Sequence, residues 1–539
     1  MPDEPLLPIP PMRWDGWGDP ALATELSASQ LAMVNDLLKV SAADVSAVTH
    51  DDVRLRPSGL SASDLAALRA VVGDQHVSTA DADRLPRAGG KSTPDLLRRK
   101  TSGEQDAPDA VAVPGDEREV AGLLAVCAAR RIAVVPFGGG TSVVGGLDPV
   151  RGDFAAVLAL DLRRFDRLES LDEVSHEAVL GAGLTGPQAE ALLAERGFEL
   201  GHYPQSFRYA TIGGFAATRS SGQDSAGYGR FDDMVRGLRV VTPIGVTDVG
   251  GPAPKTAAGP DLRQLFLGSE GAFGVITAVR VRVHPVPATK LYEAWSFPDF
   301  TAGAAALRAV TQSGAGPTVI RLSDEVETAL NLATVDDAGG GVAAPTGCLA
   351  ITVFEGAAEL VALRHAAARP LLEQHGGTSL GDEPARHWEQ RRFDGPYLRD
   401  PLLANGALVE TFETATSWAN LTALKQAVTE TVQARFAEYD SLSLVLCHIS
   451  HVYDTGASLY FTVVGAQRGD AIAQWRSIKA AVNDVLVGQG GTITHHHAVG
   501  ADHRDWLGVE VGPVGVTVLR AVKAALDPAG ILNPGKLIP

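Results

Sequence analysis

The sequence of 539 residues predicts an α+β protein built from more than one domain. Between residues 106 and 290, short apolar runs typical of buried strands alternate with helical patterns and with three glycine-rich segments. The sequence Pro285-Val286-Pro287 then interrupts the chain, and a second alternation of helices and strands follows. We therefore predict an N-terminal helical region (1–105), a first α+β domain (106–290), an α/β domain (291–500) and a C-terminal segment (501–539).

Hydrophobic periodicity predicts the individual elements. Predicted helices lie at residues 21–40, 61–72, 117–130, 186–196, 302–313, 358–375, 419–438 and 514–526. Predicted strands lie at residues 132–135, 157–160, 238–241, 275–283, 349–354, 442–448 and 492–494. The strands of the first domain therefore flank the glycine-rich segments.

The first glycine-rich segment, Pro136-Phe137-Gly138-Gly139-Gly140-Thr141-Ser142, directly follows a predicted strand. Successive glycines can place backbone N–H groups around a concavity that no Cβ fills, which is how a chain holds a pyrophosphate. A tight turn is the alternative for any one such segment. Two more, Thr211-Ile212-Gly213-Gly214 and Gly268-Ser269-Glu270-Gly271-Ala272-Phe273-Gly274, favour a large bound dinucleotide.

The spacing disfavours the two commonest nucleotide-binding motifs. Residues 138–142 lack the Gly-Lys-Ser/Thr ending of a P-loop, which argues against hydrolysis of ATP or GTP. They also lack the Gly-x-Gly-x-x-Gly pattern of a Rossmann NAD site, which has an acidic residue about twenty positions later. The dinucleotide is therefore expected to be held in another way.

Composition and charge limit which partners the protein is expected to bind and indicate its cellular compartment. A net charge of −18 leaves no basic surplus for binding nucleic acid. The cysteines, Cys127, Cys348 and Cys447, are scattered, which indicates buried thiols in a reducing compartment rather than disulfides or a zinc site. Residues 1–5 have no feature of a secretory signal, and no apolar run of eighteen residues occurs, so we expect a cytoplasmic protein.

The triplet His495-His496-His497 is the sharpest feature of the second domain. Imidazole is the side chain best suited to proton transfer near neutral pH. A metal site is the alternative, and alternation along a strand would let only His495 and His497 share the ion. Because no cysteine or carboxylate stands at ligand spacing, we expect no metal.

These motifs carry a family resemblance at two levels. Residues 136–146, 213–214 and 270–276 resemble the FAD-binding domain of the vanillyl-alcohol oxidase and D-lactate dehydrogenase superfamily (PCMH type), in which FAD lies extended between two α+β subdomains. Almost the whole chain is similar to the alkyldihydroxyacetonephosphate synthases and their bacterial relatives. The matching stretches include residues 201–204, 320–322, 397–400, 412–414, 453–461 and 494–499.

The resemblance implies an activity. In that family the fatty acid of acyl-dihydroxyacetone phosphate is exchanged for a fatty alcohol during ether lipid synthesis, through an adduct at the flavin N5 atom and without net redox change. The resemblance also implies noncovalent FAD, an α/β cap domain over a lipid-like substrate, a homodimer and a protein able to contact a membrane peripherally.

Six catalytic residues are carried over from the resemblance by position. Tyr460 matches the family's acid/base tyrosine, while His495, His496 and His497 match a triplet that shuttles the substrate proton and activates the alcohol. Arg399 matches the arginine at the substrate's anionic end, where a bidentate guanidinium serves better than lysine. Arg321 matches another arginine important to activity. Its apolar neighbours also predict a buried anionic partner.

The cofactor-binding residues implied by the resemblance supply glycine N–H groups for the pyrophosphate and hydroxyl groups for further hydrogen bonds. They are Pro136, Phe137, Gly138, Gly139, Gly140, Thr141, Ser142, Gln205, Ser206, Thr211, Gly214, Thr218, Ser220, Ser221, Glu270, Gly271, Gly274, Val275 and Ile276. Among the catalytic candidates, structural alternatives stay open. Tyr460 could be a core strand aromatic beside Phe461, and Arg399 could form an ordinary salt bridge with Asp400.

Two departures from the animal enzymes leave the substrate open. Gln205 stands where those enzymes have aspartate, and Cys447-His448-Ile449 stands where they have Cys-Arg-Val, with His451 two positions later. The alternative activity is an FAD-dependent D-2-hydroxyacid dehydrogenase, with His497 as the base and Arg399 holding the carboxylate. A flavin-binding protein without turnover is a third hypothesis, which the density of catalytic-type residues disfavours.

Overall fold

A computed structural model describes residues 6–42, 48–336 and 347–539 of the protein. Residues 1–5, which entered the argument against a secretory signal, lie outside the described residues. The N-terminal elements are α1 (Ala28–Leu38), β1 (Arg54–Leu55), α2 (Ala62–Val72), β2 (Val77–Ser78), α3 (Asp81–Arg84), α4 (Thr93–Thr101) and β3 (Glu104–Gln105). Within the described residues, no helix is long and apolar enough to cross a membrane.

The next part of the chain forms two larger sheets and a two-stranded sheet. Its elements are β4 (Ala110–Ala112), α5 (Glu117–Arg130), β5 (Ile132–Phe137), β6 (Ala156–Asp161), β7 (Leu168–Asp172), β8 (Glu177–Gly181), α6 (Gly186–Ala194), β9 (Phe198–Glu199), α7 (Ile212–Thr218), α8 (Ser225–Tyr228), α9 (Phe231–Met234), β10 (Val235–Thr242), β11 (Gly245–Val249), α10 (Arg263–Phe266), β12 (Val275–Arg282) and β13 (His284–Pro285). One larger sheet has the order β2-β4-β6-β5, with β4, β6 and β5 parallel, and the other is antiparallel with the order β11-β10-β12-β8-β7. The two-stranded sheet pairs β9 with β13.

The last part forms one large antiparallel sheet with helices beside it. Its elements are β14 (Thr289–Phe297), α11 (Phe300–Gln312), β15 (Val319–Ser323), α12 (Glu325–Asp336), β16 (Cys348–Gly356), α13 (Ala358–Gln374), β17 (Thr378–Gly381), α14 (Glu383–Arg391), α15 (Arg399–Ala404), β18 (Ala407–Ser417), α16 (Leu421–Ala437), β19 (Ser443–Ile449), β20 (Val452–Tyr453), β21 (Gly456–Ala466), α17 (Ala471–Gly488) and α18 (Arg504–Leu526). The strand order is β17-β14-β16-β15-β19-β21-β18, with β20 paired to β21.

The predicted α+β class is confirmed, and each of the three larger sheets has its own apolar core. Trp295 and Phe412 are fully buried in the core of the large sheet, Phe231 in that of the five-stranded sheet and Leu124 in that of the four-stranded sheet. Each such side chain contributes about 1.5–3 kcal/mol through burial. Cys127, Cys348 and Cys447 are all buried thiols, as the sequence indicated.

The C-terminal segment returns to the first part of the chain. Val134 in β5 donates its N–H to Ile531, and Asn533 donates its N–H to Val134. Ile531 and Leu532 are fully buried in the core of the four-stranded sheet. The last residues therefore extend that sheet beside the strand that ends at the first glycine-rich segment.

Three predicted elements differ from the structure. The helix predicted at residues 21–40 is only α1, because the Ser27 side chain and Gln30 form a capping box that starts the helix at Ala28. The helix predicted at residues 514–526 is preceded by a further helical stretch from Arg504, with a break in helical backbone at Gly512, directly before Pro513. The strand predicted at residues 492–494 is absent, and these residues form an irregular loop.

Candidate active site

The three glycine-rich segments meet in the folded chain. A Cβ at Gly138 would overlap the Thr211 side chain, and a Cβ at Gly139 would collide with the carbonyl oxygen of Tyr209. A Cβ at Gly271, whose φ is +74°, would lie 2.7 Å from the Pro136 ring. Glycine is therefore required at these positions because backbones approach closely, which joins the second and third segments to the first.

This junction fits the pyrophosphate of a dinucleotide. No acceptor among the described residues takes a hydrogen bond from the backbone N–H groups of Gly138, Gly139, Gly140 or Thr141. The buried hydroxyl oxygens of Ser221 and Ser269 are also without a hydrogen-bond partner. Because buried polar groups are normally paired, these donors match the needs of an anionic ligand.

The other predicted cofactor residues lie around the same junction. Thr211 caps α7 by accepting a hydrogen bond from Gly214, and the Thr218 hydroxyl bonds back to the carbonyl of Gly214. The Ser220 hydroxyl lies 2.6 Å from His202 Nε2, so this group already has a protein partner. Ser142 and Ser206 are half-buried, Gln205 is exposed, and Val275 and Ile276 are buried at the start of β12. Their contacts with the cofactor stay predictions.

Glu270 joins the third glycine-rich segment to the loop that follows the histidines. Its carboxylate accepts hydrogen bonds from the N–H groups of Val499 (2.9 Å) and Gly500 (2.8 Å). Burial raises the pKa of Glu270 to about 7, although these hydrogen bonds oppose the rise. The Asn533 side chain donates to the carbonyl oxygens of Glu270 and Gly146. Glu270 therefore holds both the loop after the histidines and the C-terminal segment against the predicted cofactor site.

Glu413, on β18, organises the histidine triplet. Its buried carboxylate accepts hydrogen bonds from the backbone N–H groups of His495 (2.7 Å), His496 (3.2 Å) and His497 (3.0 Å), and from the Thr494 hydroxyl. Burial alone would raise the pKa of Glu413, but the three imidazoles and the Thr494 hydroxyl hold it well below its usual range. A single charge thus fixes four consecutive residues of the loop.

Two of the imidazoles of the triplet are hydrogen-bonded to each other. His495 Nδ1 lies 3.0 Å from His496 Nδ1, and His495 Nε2 lies 2.5 Å from the Tyr453 hydroxyl. His451 stacks on His495 with ring centroids 5.1 Å apart. The expectation that only His495 and His497 could point the same way is wrong, because the loop is not a strand and its side chains do not alternate.

The rings of the site are held mainly neutral. Burial is the largest cause that lowers the pKa of His451, His495, His496 and His497, and it takes that of His497 to about 3. Burial also raises the pKa of Tyr460 and of Tyr453 to about 12. Neutral imidazoles can accept a proton, and neutral phenols can donate one.

Tyr460, on β21, lies beside the triplet. Its strand pairing places it opposite Glu413 on one side and His448 on the other. Its ring stacks on His448 (centroids 4.9 Å) and meets the ring of His497 edge-on (5.5 Å). Because cross-strand partners share a face of the sheet, this aromatic is part of the cluster as well as of the sheet.

Arg321 has the anionic partner that its apolar flanks predicted. Its guanidinium bonds Glu327 (2.7 Å) and His448 Nδ1 (2.9 Å), and His448 Nδ1 also lies 3.1 Å from Glu327. Burial raises the pKa of Glu327, but His448 and Arg321 together lower it to about 2. Arg321 therefore reaches Tyr460 only through the stacked ring of His448.

Arg399 does not form the salt bridge with Asp400 that was its structural alternative. One of its terminal nitrogens donates to the carbonyl oxygen of Lys91 (2.8 Å), and its buried Nε has no partner. Asp400 instead accepts from the N–H of Trp17 (2.7 Å). The guanidinium of Arg399 thus keeps hydrogen-bond donors available to an anion. Its positive charge also opposes the rise in the pKa of Tyr460 that burial causes.

Five residues of the site were not assigned a role from the sequence: Glu327, Glu413, His448, His451 and Tyr453. Only their surroundings gave a signal, since Glu413 and Tyr453 stand in stretches that match the family and the two histidines are departures from it. Apart from the Arg321–Glu327 pair, which is six positions apart, these contacts join distant parts of the chain that no local spacing could have revealed.

Comparisons with known proteins identify the family of each part of the chain. Residues 108–249 match the family model for an FAD binding domain, and residues 286–537 match the model for the C-terminal domain of FAD linked oxidases. The chain therefore binds FAD. Solved structures of 4-ethylphenol oxidase from Gulosibacter chungangensis and of p-cresol methylhydroxylase share the fold, with TM-scores of 0.68 and 0.66 at 15% and 18% identity.

Similarities over most of the chain link it to one group of enzymes. Alkyldihydroxyacetonephosphate synthase of Trypanosoma brucei brucei is 31% identical, over 98% of this chain and 92% of its own length. That of Dictyostelium discoideum is 33% identical, over 85% and 77%. A solved alkyldihydroxyacetonephosphate synthase structure superimposes with a TM-score of 0.82 at 28% identity, covering 97% of this chain and 98% of its own. The chain belongs to the alkyldihydroxyacetonephosphate synthase family.

Proposed function

We propose that this enzyme exchanges the acyl chain of acyl-dihydroxyacetone phosphate for a fatty alcohol, forming an ether bond without net redox change. The observation that carries the proposal is the cluster in which Glu413 holds the histidine triplet beside Tyr460, in a chain similar to the synthases over nearly its whole length. FAD, when bound, supplies an electron sink next to the reacting carbon.

The reaction requires groups that take up and release protons. The incoming alcohol must lose its hydroxyl proton, and a neutral imidazole of the triplet is the group suited to accept it. Tyr460, whose pKa burial raises to about 12, is protonated at neutral pH and can donate a proton. Burial of these rings keeps water from competing with the alcohol as the nucleophile that forms the ether bond after the fatty acid has left.

The substrate also carries a phosphate. Arg399 is the proposed partner for this anionic end, since its Nε and part of its terminal nitrogens are not used by the protein. Arg321 is committed to Glu327 and His448, so we assign it to positioning His448 against Tyr460 rather than to direct substrate contact.

The remaining assignments complete the proposal. FAD is held noncovalently by the glycine-rich segments, in a domain spanning residues 106–290, and the α/β domain spanning residues 291–500 covers the substrate. Residues 1–105 and 501–539 pack against these two domains. The family resemblance supports a homodimer, and the buried free thiols support a reducing compartment such as the cytoplasm. The lipid-like substrates support contact with a membrane surface.

The second candidate is an FAD-dependent dehydrogenase of D-2-hydroxy acids. It is favoured by similarity to the glycolate oxidase subunit GlcD of Bacillus subtilis, which is 28% identical over 80% of this chain and 89% of its own length. In that reaction, His497 would take the hydroxyl proton while Arg399 holds the carboxylate.

Two measurements on the purified FAD-loaded protein separate these candidates. Labelled hexadecanol should enter an ether product when palmitoyl-dihydroxyacetone phosphate is supplied, and fully loaded enzyme that yields no product contradicts the exchange. Anaerobic mixing with D-lactate, glycolate or longer 2-hydroxy acids should leave the visible flavin absorption unchanged. Rapid bleaching would instead establish the dehydrogenase.

A further inference from the structure

The imidazoles of His451, His495 and His496 form a cluster that the proposed reaction does not fully use. One ring nitrogen of each lies within 4.8 Å of the corresponding nitrogens of the other two. His451 is 5% exposed, and its Nδ1 is buried without any hydrogen-bond partner. Because an unpaired buried polar atom costs free energy, this nitrogen indicates a ligand in addition to the protein.

We propose that His451, His495 and His496 bind a transition-metal ion of the Zn²⁺ class, and that the bound ion inhibits the enzyme. Zn²⁺ accepts three imidazole nitrogens at about 2.0–2.1 Å and leaves a fourth position open. The 3.0 Å between His495 Nδ1 and His496 Nδ1 is close to the separation of two nitrogens on one such ion. Small rotations of the rings would bring the third nitrogen to the same centre.

The surroundings supply what a metal site needs beyond its ligands. The Tyr453 hydroxyl lies 2.5 Å from His495 Nε2, so it can fix the tautomer that leaves Nδ1 free for the ion. The Glu413 carboxylate lies 3.4 Å from His496 Nδ1 and offsets the charge of the ion. The nearby Arg230 opposes a cation, but Asp232 pairs with it at 3.0 Å.

The cluster lies one side chain away from a surface cavity. Tyr453 lines this cavity of about 320 Å³, together with Thr455, Gly456 and Thr492. The hydroxyl of the same tyrosine contacts His495. Inhibition follows because the ion occupies the nitrogen lone pairs that would otherwise accept a proton from the substrate.

The site depends on His451, which lies outside the histidine triplet and contributes the nitrogen that has no partner in the protein.

Calorimetric titration of the FAD-loaded protein with ZnCl₂ tests the proposal without reference to turnover. We expect saturable binding of one ion per chain, reversed by EDTA. His451→Asn should weaken this binding by at least about tenfold, because removing a metal ligand costs at least as much affinity as removing a residue that only hydrogen-bonds to a ligand. Tyr453→Phe should weaken it by roughly tenfold. His176→Asn, at an exposed histidine with positive φ, is the matched control and should bind Zn²⁺ unchanged.

The outcomes are distinguishable. A retained flavin spectrum and melting temperature establish that His451→Asn is folded. The proposal is overturned if the parent protein shows no saturable one-to-one binding, or if the folded His451→Asn variant binds Zn²⁺ as tightly as the parent. If His451→Asn does not fold, Tyr453→Phe takes its place, and the proposal is overturned if this variant binds Zn²⁺ as tightly as the parent. Because binding is measured directly, a failure of the proposed alkyl exchange would leave this result unaffected.

Discussion

The carboxylate of Glu413 accepts a 3.0 Å hydrogen bond from the backbone N–H of His497, across 84 positions of the chain. Glu413 is fixed in the middle of a strand of the large sheet, so it transfers the rigidity of that sheet to a loop with no regular structure of its own. The same strand register places Tyr460 directly opposite Glu413. One carboxylate therefore sets the distance between the tyrosine and the histidines.

Glu413→Gln should disorder the histidine loop. The amide can accept on its oxygen only, and its NH₂ group would face N–H groups that need an acceptor. We expect a loss of about 2–4 kcal/mol in stability, from a buried charge with several hydrogen bonds, and a fall of at least about 100-fold in kcat. Thermal melting and ether-product assays measure these effects.

The matched control for this prediction lies on the same strand. Glu410 accepts a hydrogen bond from the Trp475 ring nitrogen, and among the described residues it accepts none from the histidine loop. Glu410→Gln should therefore affect stability without a comparable fall in kcat. Equal losses of kcat in the two variants would contradict the role assigned to Glu413.

Tyr460→Phe should remove a proton donor while keeping the packing. The phenylalanine ring can still stack on His448 and meet His497, so the FAD content and the melting temperature should be unchanged. The expected result is a fall in kcat of about 100-fold or more, as for loss of a general acid or base. A variant with full activity would show that Tyr460 is only a core aromatic of the strand.

Gly139→Val should lose FAD, but for a reason that differs from the one the sequence indicated. The sequence predicts that a branched Cβ occupies the space of the phosphate, whereas in the structure a Cβ first collides with the Tyr209 carbonyl oxygen. The melting temperature of the FAD-free variant should therefore also fall. Gly316→Val, where a Cβ meets nothing within 4 Å, is the control and should keep both FAD and stability.

Glu270→Gln should change how stability depends on pH. Burial raises the pKa of Glu270 to about 7, so between about pH 4.5 and 7 the unfolded chain releases a proton that the folded chain retains. The free energy of unfolding contributed by this residue therefore falls as pH rises through that window. The variant lacks this titration, so its melting temperature relative to the parent should be higher at pH 7.5 than at pH 5.

An equal difference between the two proteins at both pH values would show that Glu270 is not protonated in this window. The comparison cancels other buried carboxyl groups with raised pKa values, such as Asp224 and Glu190, because both proteins contain them.

Arg399→Lys should weaken binding of the phosphate substrate more than it slows the reaction. Lysine keeps the charge but loses the fork of donors and the bond to the Lys91 carbonyl. A rise in KM of about tenfold, with a smaller change in kcat, is expected from the loss of one charge-assisted hydrogen bond of about 1.5 kcal/mol. A fall in kcat with KM unchanged would place Arg399 at the reacting atoms instead.

Local patterns in the sequence predicted several of the longer helices and strands between residues 106 and 290. The strand that ends at Phe137 and the helix over residues 117–130 lie where hydrophobic periodicity predicts them, because their burial is set by neighbours along the chain. The glycine-rich segments were predicted to hold a pyrophosphate, and in the folded chain they meet. What local pattern could not show is that the carbonyl of Tyr209, rather than a ligand, is what Gly139 meets first.

The predicted strand at residues 492–494 failed for a different reason. Its apolar centre, Ile493, is buried as expected, but the N–H of Ile493 is taken by Glu510 and those of the histidines by Glu413. Side-chain carboxylates replace a neighbouring strand as hydrogen-bond acceptors. The expectation that side chains alternate along a strand therefore selected the wrong pair of imidazoles as the two that face the same way.

The sequence by itself determined which chemical groups this protein has: glycine N–H groups for a pyrophosphate, imidazoles and a phenol for proton transfer, and arginines for an anion. Only the tertiary structure decided which of them meet. Backbone conformation follows from interactions over a few residues, whereas the contacts of Glu413, His451 and Tyr453 join segments 42 to 84 positions apart and depend on sheet register and loop packing.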